Sequence, residues 1–430
     1  MNKVLPEGSK VNTKGHLEIA GADTVELAKK FSTPLYVVDE NSVRKACRAY
    51  KKAFSGYRAF QPIFASKALS VKAILSIMKE EGVGADISTS GELLTAVKAG
   101  MDPKKIYFHG NNKLPEEIVY ALRSGIHCFV VDNLDELALL DKLTDKLNIR
   151  AGVMFRVNPG IEAHTHDFIK TGAVDSKFGI AGSQIKNAVS LALSCGHLDF
   201  LGLHAHIGSQ IFDVKPFAAE VEVLAKIMAA VKKELGIDCA ELNIGGGVGI
   251  AYSKKDVPPD LKKYAGAVIG SLKKCCKKYG LKEPKLIVEP GRSLVGSSGV
   301  TLYRVGTVKR IPGIRNYAVV DGGMTDNPRY ILYQAKYEIF AASRMKAKNS
   351  DIFTVAGRAC ESGDVVAKDV KLPRIERGDI IAVASTGAYN YSMASNYNRM
   401  PRPAMVLVKK GKARLIVRRE TKEDIVRNDL

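Results

Sequence analysis

The chain has 430 residues, 46% hydrophobic and 26% charged, with 65 Lys plus Arg against 45 Asp plus Glu and a formal net charge of +20. This composition excludes a disordered, collagen-like or coiled-coil chain, and no apolar run reaches the roughly 18 residues of a membrane helix. Length suggests two to three domains, although an α/β barrel can use about 250 residues in one.

The N-terminus, MNKVLPEGSK, has no signal-peptide apolar core, so the expected compartment is the cytoplasm. The segment up to about residue 35 is strand-like. From residue 63 an alternation sets in. β-rich runs occupy 63–67, 84–88, 105–110, 128–132, 151–158, 200–207, 241–246 and 286–289. Helical patterns fill most of the gaps, at 71–81, 92–99, 115–124, 134–147, 183–194, 214–235 and 260–279. Alternating strands and helices imply parallel βαβ units. Eight of them point to a closed (β/α)8 barrel of TIM type over residues 36–290, with an open doubly wound sheet as the alternative. After Gly291 the texture changes to strand-like runs at 302–310, 317–321, 352–356, 379–384, 404–408 and 413–417, punctuated by Gly, Pro and Asn. This reads as a mostly antiparallel, sandwich-like β-domain made of 291–430 together with 1–35.

Seven cysteines stand at 47, 128, 195, 239, 275, 276 and 360, without a Cys-x-x-Cys pair. The adjacent Cys275 and Cys276 argue against a metal knuckle and against a disulfide framework; reduced thiols and no metal are expected. The basic charge attracts anions in general. Its lysines are spread in pairs such as Lys232–Lys233 and Lys277–Lys278, mostly on amphipathic helices, and no stripe interleaves with aromatics as nucleic-acid binding requires. A solvated surface is the simpler reading, with neither nucleic acid nor membrane as a partner.

Barrel enzymes hold their chemistry at the C-terminal ends of the strands. Here those ends carry Lys67; His109, Asn111 and Asn112; Arg156 and Asn158; His204, His206 and Ser209; then Glu289 and Arg292. Polar residues gathered at one end of most strands indicate an enzyme. Gly245, Gly246 and Gly247 form a glycine-rich loop after a strand, where bare backbone N–H groups can approach a phosphate; a ligand-free tight turn is the alternative. Lys67 ends an apolar strand, where it either snorkels to water or, desolvated, serves as a nucleophile toward a carbonyl. A nucleophilic lysine together with a phosphate cradle suits pyridoxal 5'-phosphate. Glu289 could then face a pyridinium nitrogen, or merely pair with a lysine or cap a turn. His206 could lie against the ring or be a satisfied core histidine. Cys360, followed by Glu361 in a Gly- and Ser-rich loop, could donate a proton or be a small buried hydrophobe.

Several strings in order carry a family likeness: FASKALS around Lys67, GADISTSGEL from Gly84, FHGNNK from Phe108 and RVNPGIEAHTHDFIKTGAVDSKFGI from Arg156. GLHAHIGSQ from Gly202, LNIGGGVGI from Leu242, EPGRS from Glu289 and VDGGMTDNPRYILY from Val320 follow. GRACESGD from Gly357, TGAYNYSMASNYN from Thr386 and RPAMVLV from Arg402 complete the set. The chain resembles the diaminopimelate decarboxylases, pyridoxal-phosphate enzymes of the alanine-racemase-like barrel group, from Thr33 to the RRET near its C-terminus. It departs from the family's pattern at TSGEL, where Ser90 replaces a usual glycine, with little expected effect on chemistry.

The resemblance implies a role for each matching residue. Lys67 forms the Schiff base with the cofactor. His206 stacks on its ring, Ser209 and the backbone of Gly245, Gly246 and Gly247 hold its phosphate, and Glu289 binds the pyridine nitrogen. Gly291 and Arg292 line the phosphate and substrate side. Arg292, Arg329 and Tyr333 grip the distal end of the substrate, and Tyr389 touches cofactor and substrate. Cys360 and Glu361 reach across a homodimer interface, Cys360 as proton donor and Glu361 as partner of the distal ammonium. The implied reaction converts meso-diaminopimelate to L-lysine and CO2, the last step of lysine biosynthesis. A proton from Cys360 or Lys67 quenches the carbanion. Arginine forks suit the distal carboxylate and Glu361 the distal ammonium.

Other readings stay open on the same fold: a decarboxylase of ornithine, arginine or carboxynorspermidine, a racemase, or a non-catalytic pyridoxal-phosphate carrier. Arg329 with Tyr333 argues against a purely cationic distal end. Cys360 stands where a racemase needs its second base, and the large β-domain argues against a carrier. A loop at 163–171 is a candidate lid.

Overall fold

A computed structural model describes residues 3–160 and 176–430; the candidate lid at 163–171 lies outside the described residues. The chain divides into two compact units. The barrel unit comprises Ala46–Gly249 and Pro258–Gly291; the sheet unit comprises Met1–Lys45, Ile250–Val257 and Arg292–Leu430.

Eight parallel strands build the barrel unit: Phe60–Ala65, Gly84–Ile87, Ile106–Phe108, Cys128–Val131, Ala151–Asn158, Leu198–His204, Glu241–Asn243 and Lys285–Val288. Each pairs with the next, and the eighth returns to the first through Leu286 opposite Phe60 and Val288 opposite Pro62. That last ladder closes the cylinder and excludes the open sheet. Among the described residues seven helices connect the strands, each within two residues of the range expected from its periodicity, among them Leu134–Leu147, Lys215–Leu235 and Leu261–Tyr279. Their ends follow local chemistry. Asn133 accepts from Glu136 N–H at 2.8 Å and Asp260 from Lys262 N–H at 2.7 Å, while Gly236 and Gly280 close the two long helices in the left-handed conformation.

Ile63, Tyr107, Cys128, Val130, Met154 and Ile287 pack together inside the barrel. At its N-terminal end the Glu241 carboxylate gathers His127 Nε2 at 2.9 Å, Lys285 Nζ at 3.0 Å and the Tyr107 hydroxyl at 2.9 Å. Four strands or their entries are thus tied by one buried acid, which leaves the opposite end for chemistry.

The sheet unit is organised by Gly299–Ile311, a thirteen-residue strand. It pairs antiparallel with Leu35–Asp39, Arg315–Val320 and Ile380–Val383. The sheet is mixed. Leu35–Asp39 runs parallel to Ala404–Lys409, and Arg315–Val320 parallel to Asp351–Ala356; its other ladders are antiparallel. Two apolar clusters accompany it, one around Leu35, Val37, Leu302 and Val406, the other around Tyr303, Val305, Phe353 and Val383.

Three details differ from the sequence reading. Residues 36–45, assigned there to the barrel, fall in the sheet unit, because Leu35–Asp39 pairs on both edges within that sheet. The N-terminal segment is not all strand: Thr24–Phe31 is a helix, started by Asp23, which accepts from Val25 N–H at 2.8 Å. The strands Val365–Leu372 and Ile339–Ala341 carry too weak an alternation to be read from sequence. Among the described residues no helix is long and apolar enough to cross a membrane.

Glu220 is an anomaly in the helix Lys215–Leu235. It is 0% exposed, and neither carboxylate oxygen has a hydrogen-bond partner among the described residues. Burial, reinforced by the charge of Glu289, raises its pKa well above the ordinary value, so the folded protein holds it protonated. Above about pH 4.5 the unfolded chain ionises this group and the folded chain does not, so its contribution to stability falls as pH rises, by up to about 1.4 kcal/mol per pH unit. Glu220→Gln removes that slope. Thermal unfolding from pH 4 to 8 is expected to show the variant gaining on the parent as pH rises; parallel profiles would refute an ionisation penalty at this site.

Candidate active site

The barrel mouth is built around Glu289, which follows the eighth strand and is 7% exposed. His109, after the third strand, places Nε2 at 2.9 Å from Glu289 Oε1. His204, ending the sixth strand, has Nε2 at 3.5 Å from Oε2, and Asn243, ending the seventh, donates from Nδ2 to Oε1 at 2.7 Å. Asp86, in the second strand, lies 3.7 Å from the same His109 nitrogen. Burial alone would raise the Glu289 pKa, but His109 and His204 hold it well below the ordinary carboxylate range. Burial lowers His109 in turn, yet Asp86 and Glu289 outweigh it and raise this imidazole. Burial leaves His204 neutral, with a pKa of about 4, and pushes Asp86 up to about 7. The result is a buried carboxylate kept ionised beside a cationic imidazole.

The glycine loop packs directly against this group. Gly245 takes φ +61°, a left-handed value suited to glycine. Its N–H donates to Asn243 Oδ1 at 2.9 Å, and Glu289 N–H donates to its carbonyl at 2.7 Å. A Cβ on Gly246 would stand 2.1 Å from the Glu289 carbonyl oxygen, and one on Gly247 2.3 Å from that of Gly208. Ile211 N–H donates to Gly247 O at 2.9 Å, which ties the loop carrying Ser209 to the glycine turn. Gly246 N–H donates to His206 Nδ1 at 3.3 Å and so fixes the proton of the neutral ring on Nε2. Burial, then the charges of Lys67 and Arg156, lowers His206 well below its usual pKa. Lys67 projects, exposed, from the one-turn helix Ser66–Ala68 after the first strand. Gly291 packs on Ala65 and Ala68, the residues flanking that lysine's turn.

An exposed amine, a neutral imidazole, an ionised carboxylate and a side-chain-free turn beside Ser209 thus share one barrel mouth. This set fits pyridoxal phosphate: the turn and Ser209 for the phosphate, His206 for the ring, Glu289 for the ring nitrogen and Lys67 for the aldehyde.

In the sheet unit a second cluster assembles. Arg292 opens the short helix Arg292–Val295 and Arg329 opens Arg329–Tyr333; both are buried. Arg292 donates to the Tyr252 hydroxyl at 2.5 Å and lies 4.8 Å from the Tyr389 ring centre. Arg329 donates to the Tyr337 hydroxyl at 2.6 Å, with the rings of Tyr252 and Tyr333 at 4.9 and 5.8 Å. Tyr389 holds φ +65°, a strained value for a tyrosine and of the kind found at functional sites. The segment leading to Arg329 is anchored by the buried Asp326, which accepts from the Tyr303 hydroxyl and from Gly323 N–H at 3.0 Å.

Cys360 and Glu361 lie on an exposed turn of the same unit. Cys360 N–H donates to Asn398 Oδ1 at 2.9 Å, and Gly363 N–H donates to Glu361 Oε1 at 3.3 Å. Glu361 lines a cavity of about 690 Å³ with Tyr317, Tyr330 and Lys368. The turn is shaped by Asp364, whose carboxylate accepts from Met324 and Ala359 N–H at 2.7 Å each and leaves no room for a Cβ on Gly323 or Gly357.

Lys67, His206, Ser209, the three glycines, Glu289 and Gly291 therefore gather in the barrel unit. Arg292, Arg329, Tyr333 and Tyr389 gather in the sheet unit, while Cys360 and Glu361 stand apart on their turn. Sequence reasoning noted His109, Arg156 and His204 at strand ends without giving them a role, and it missed Asp86, Asn243, Tyr252, Tyr337 and Asn390. An acid inside the apolar run GADI was the available signal for Asp86; nothing comparable marks the tyrosines.

The pairing of His109 with Glu289 has a definite pH signature. Glu289 contributes stability above its unfolded value of about 4.5 and loses it as pH falls; His109 contributes below its unfolded value of about 6.5 and loses it as pH rises through its raised folded value. Comparing the melting of the cofactor-free protein with that of His109→Gln from pH 3 to 9 should show the largest deficit of the variant inside this window and a shrinking one at both ends. A deficit independent of pH would contradict the pair.

A family profile described as "Pyridoxal-dependent decarboxylase, pyridoxal binding domain" matches residues 40–296. The chain is 47% identical over 426 residues to a diaminopimelate decarboxylase of Bacillus subtilis, covering 98% of this chain and 97% of the relative. To that of Synechocystis it is 47% identical over 437 residues, covering 99% and 92%. The crystal structure of diaminopimelate decarboxylase from M. jannaschii in co-complex with L-lysine superposes with a TM-score of 0.93 at 36% identity, covering 99% of this chain and 98% of that one. With sequence, fold and site chemistry in agreement over nearly its full length, the chain belongs to the diaminopimelate decarboxylase family of pyridoxal-dependent decarboxylases.

Proposed function

We propose that this protein removes one carboxylate of meso-diaminopimelate as CO2 and leaves L-lysine, with pyridoxal 5'-phosphate as cofactor. The observation that carries the choice of substrate is Arg329. It is 7% exposed, and the groups that act on its charge are Tyr252, Tyr337 and Tyr389, with no carboxylate among them. A buried guanidinium without an acid awaits an anion. A substrate with a carboxylate at its non-reacting end supplies one; a purely cationic end does not.

The bound cofactor supplies the electron sink for the pair left when CO2 departs. Lys67, exposed at the barrel mouth, would supply the amine that tethers the cofactor. Ser209 and the side-chain-free turn of Gly245, Gly246 and Gly247 would hold the phosphate, with the Gly247 N–H meeting it, because the N–H groups of Gly245 and Gly246 are already given to Asn243 and His206. His206, oriented by Gly246 N–H, would support the ring. Glu289, kept ionised by His109, would hold a proton on the ring nitrogen. Arg292 and Arg329 take the distal carboxylate, with Tyr333 and Tyr389 beside them. We assign the active form as a homodimer. The support is the exposed turn of Cys360 and Glu361, whose side chains serve the partner's site there, Cys360 delivering the proton and Glu361 receiving the distal ammonium. We place the enzyme in the cytoplasm on the strength of its seven free cysteines.

Product analysis of the cofactor-loaded protein on meso-diaminopimelate, L-lysine, L-ornithine, L-arginine and alanine tests this. L-lysine and CO2 from diaminopimelate alone are expected. Lys67→Ala should lose turnover by on the order of 10³-fold or more together with the visible absorbance of the tethered cofactor. Preferred turnover of ornithine or arginine would overturn the substrate reading while leaving the cofactor chemistry standing.

A further inference from the structure

Tyr337 and Asn390 belong to none of the roles above, yet Tyr337 is bonded to Arg329 and Asn390 to Tyr337. The Tyr337 hydroxyl accepts from Arg329 Nη1 at 2.6 Å and donates to Asn390 Oδ1 at 3.2 Å. Tyr337 is 6% exposed and Asn390 0%. Asn390 Nδ2 is buried without an acceptor among the described residues. Such a donor is rare in a folded protein and costs free energy unless a ligand or water meets it. The Tyr337 ring also packs edge-on against Tyr252 at 5.2 Å, which itself flanks Arg329.

A buried arginine is ordinarily held by a carboxylate, which fixes its fork and cancels its charge. Here a phenol does the holding. It accepts one N–H and sets the orientation, but it carries no charge to offset. Burial works against the Arg329 cation, yet Tyr252, Tyr337 and Tyr389 raise its pKa, so the positive charge persists in a site of low dielectric.

We infer that Tyr337 and Asn390 are specificity-determining residues: Tyr337 positions Arg329 with its charge uncompensated, and Asn390 Nδ2 is an additional donor to the distal carboxylate that Arg329 receives. The inference rests on the substrate reading above and deepens it. A ligand with that carboxylate completes both the charge and the missing hydrogen bond. One lacking it leaves a buried cation and a buried amide unmatched, an arrangement that discriminates more strongly than shape alone.

The test compares two inhibitors of the cofactor-loaded enzyme that differ by this one group: L-lysine, which retains the distal carboxylate, and 1,5-diaminopentane, which does not. Tyr337→Phe removes a single oxygen, and Asn390→Ala the amide. Each should raise the KM for meso-diaminopimelate and the inhibition constant of L-lysine about tenfold, with kcat within about threefold and the inhibition constant of 1,5-diaminopentane within about twofold. Inhibition constants that move together for the two probes, or that do not move at all, would overturn the inference. If the parent enzyme does not turn over diaminopimelate, the substrate reading itself fails, and that result is separable because it needs neither variant.

Discussion

A carboxylate buried at the end of a barrel strand cannot remain ionised unless donors and positive charge converge on it. Glu289 sets that requirement, and the barrel meets it from four directions. His109, His204 and Asn243 arrive from the third, sixth and seventh strands, and Asp86 from the second secures the charge on His109. Because closure brings these strand ends into one ring, residues more than 150 positions apart in sequence act on a single group. The glycine loop depends on the same carboxylate, since its turn is laced to the Glu289 backbone and tolerates no side chain there.

The two ends of the barrel handle charge differently. At the N-terminal end Glu241 meets His127 and Lys285 in a network matched in charge and hydrogen bonding, suited to holding strands together. At the C-terminal end Glu289 is met by His109 and Asn243, while burial holds His206 neutral and Lys67 stands exposed. Shifted titration of this kind is a common mark of functional sites.

The sheet unit uses another means to the same end. It buries arginines among tyrosines, where ring faces and phenol oxygens orient the guanidinium without neutralising it. Around them, two further buried acids shape the backbone. Asp326 anchors the segment before Arg329, and Asp364 closes the turn that presents Cys360 and Glu361. The glycines of DGGM and GRAC are required because these carboxylates press against the main chain.

Much of this was legible in the amino-acid sequence, and the reason is local. Helix periodicity, cap residues and short apolar runs are properties of ten or twenty consecutive residues, so the eight strands and seven barrel helices could be placed, and with them the polar residues at the strand ends. Motifs in order carried the family and the candidate roles of Lys67, His206, Glu289 and Arg329. What the sequence left open was long-range: that the eighth strand returns to the first, that Leu35–Asp39 pairs in the other sheet, and that Asp86 and Asn243 serve Glu289. Tyr252, Tyr337 and Asn390 have no local signature at all, since tyrosines and asparagines at such positions read as ordinary core or loop residues. Only the tertiary structure decides that Tyr337 meets Arg329 and Asn390 meets Tyr337, because a hydrogen bond between residues eight or fifty-three positions apart depends on how the whole unit packs and not on the residues that flank it in sequence.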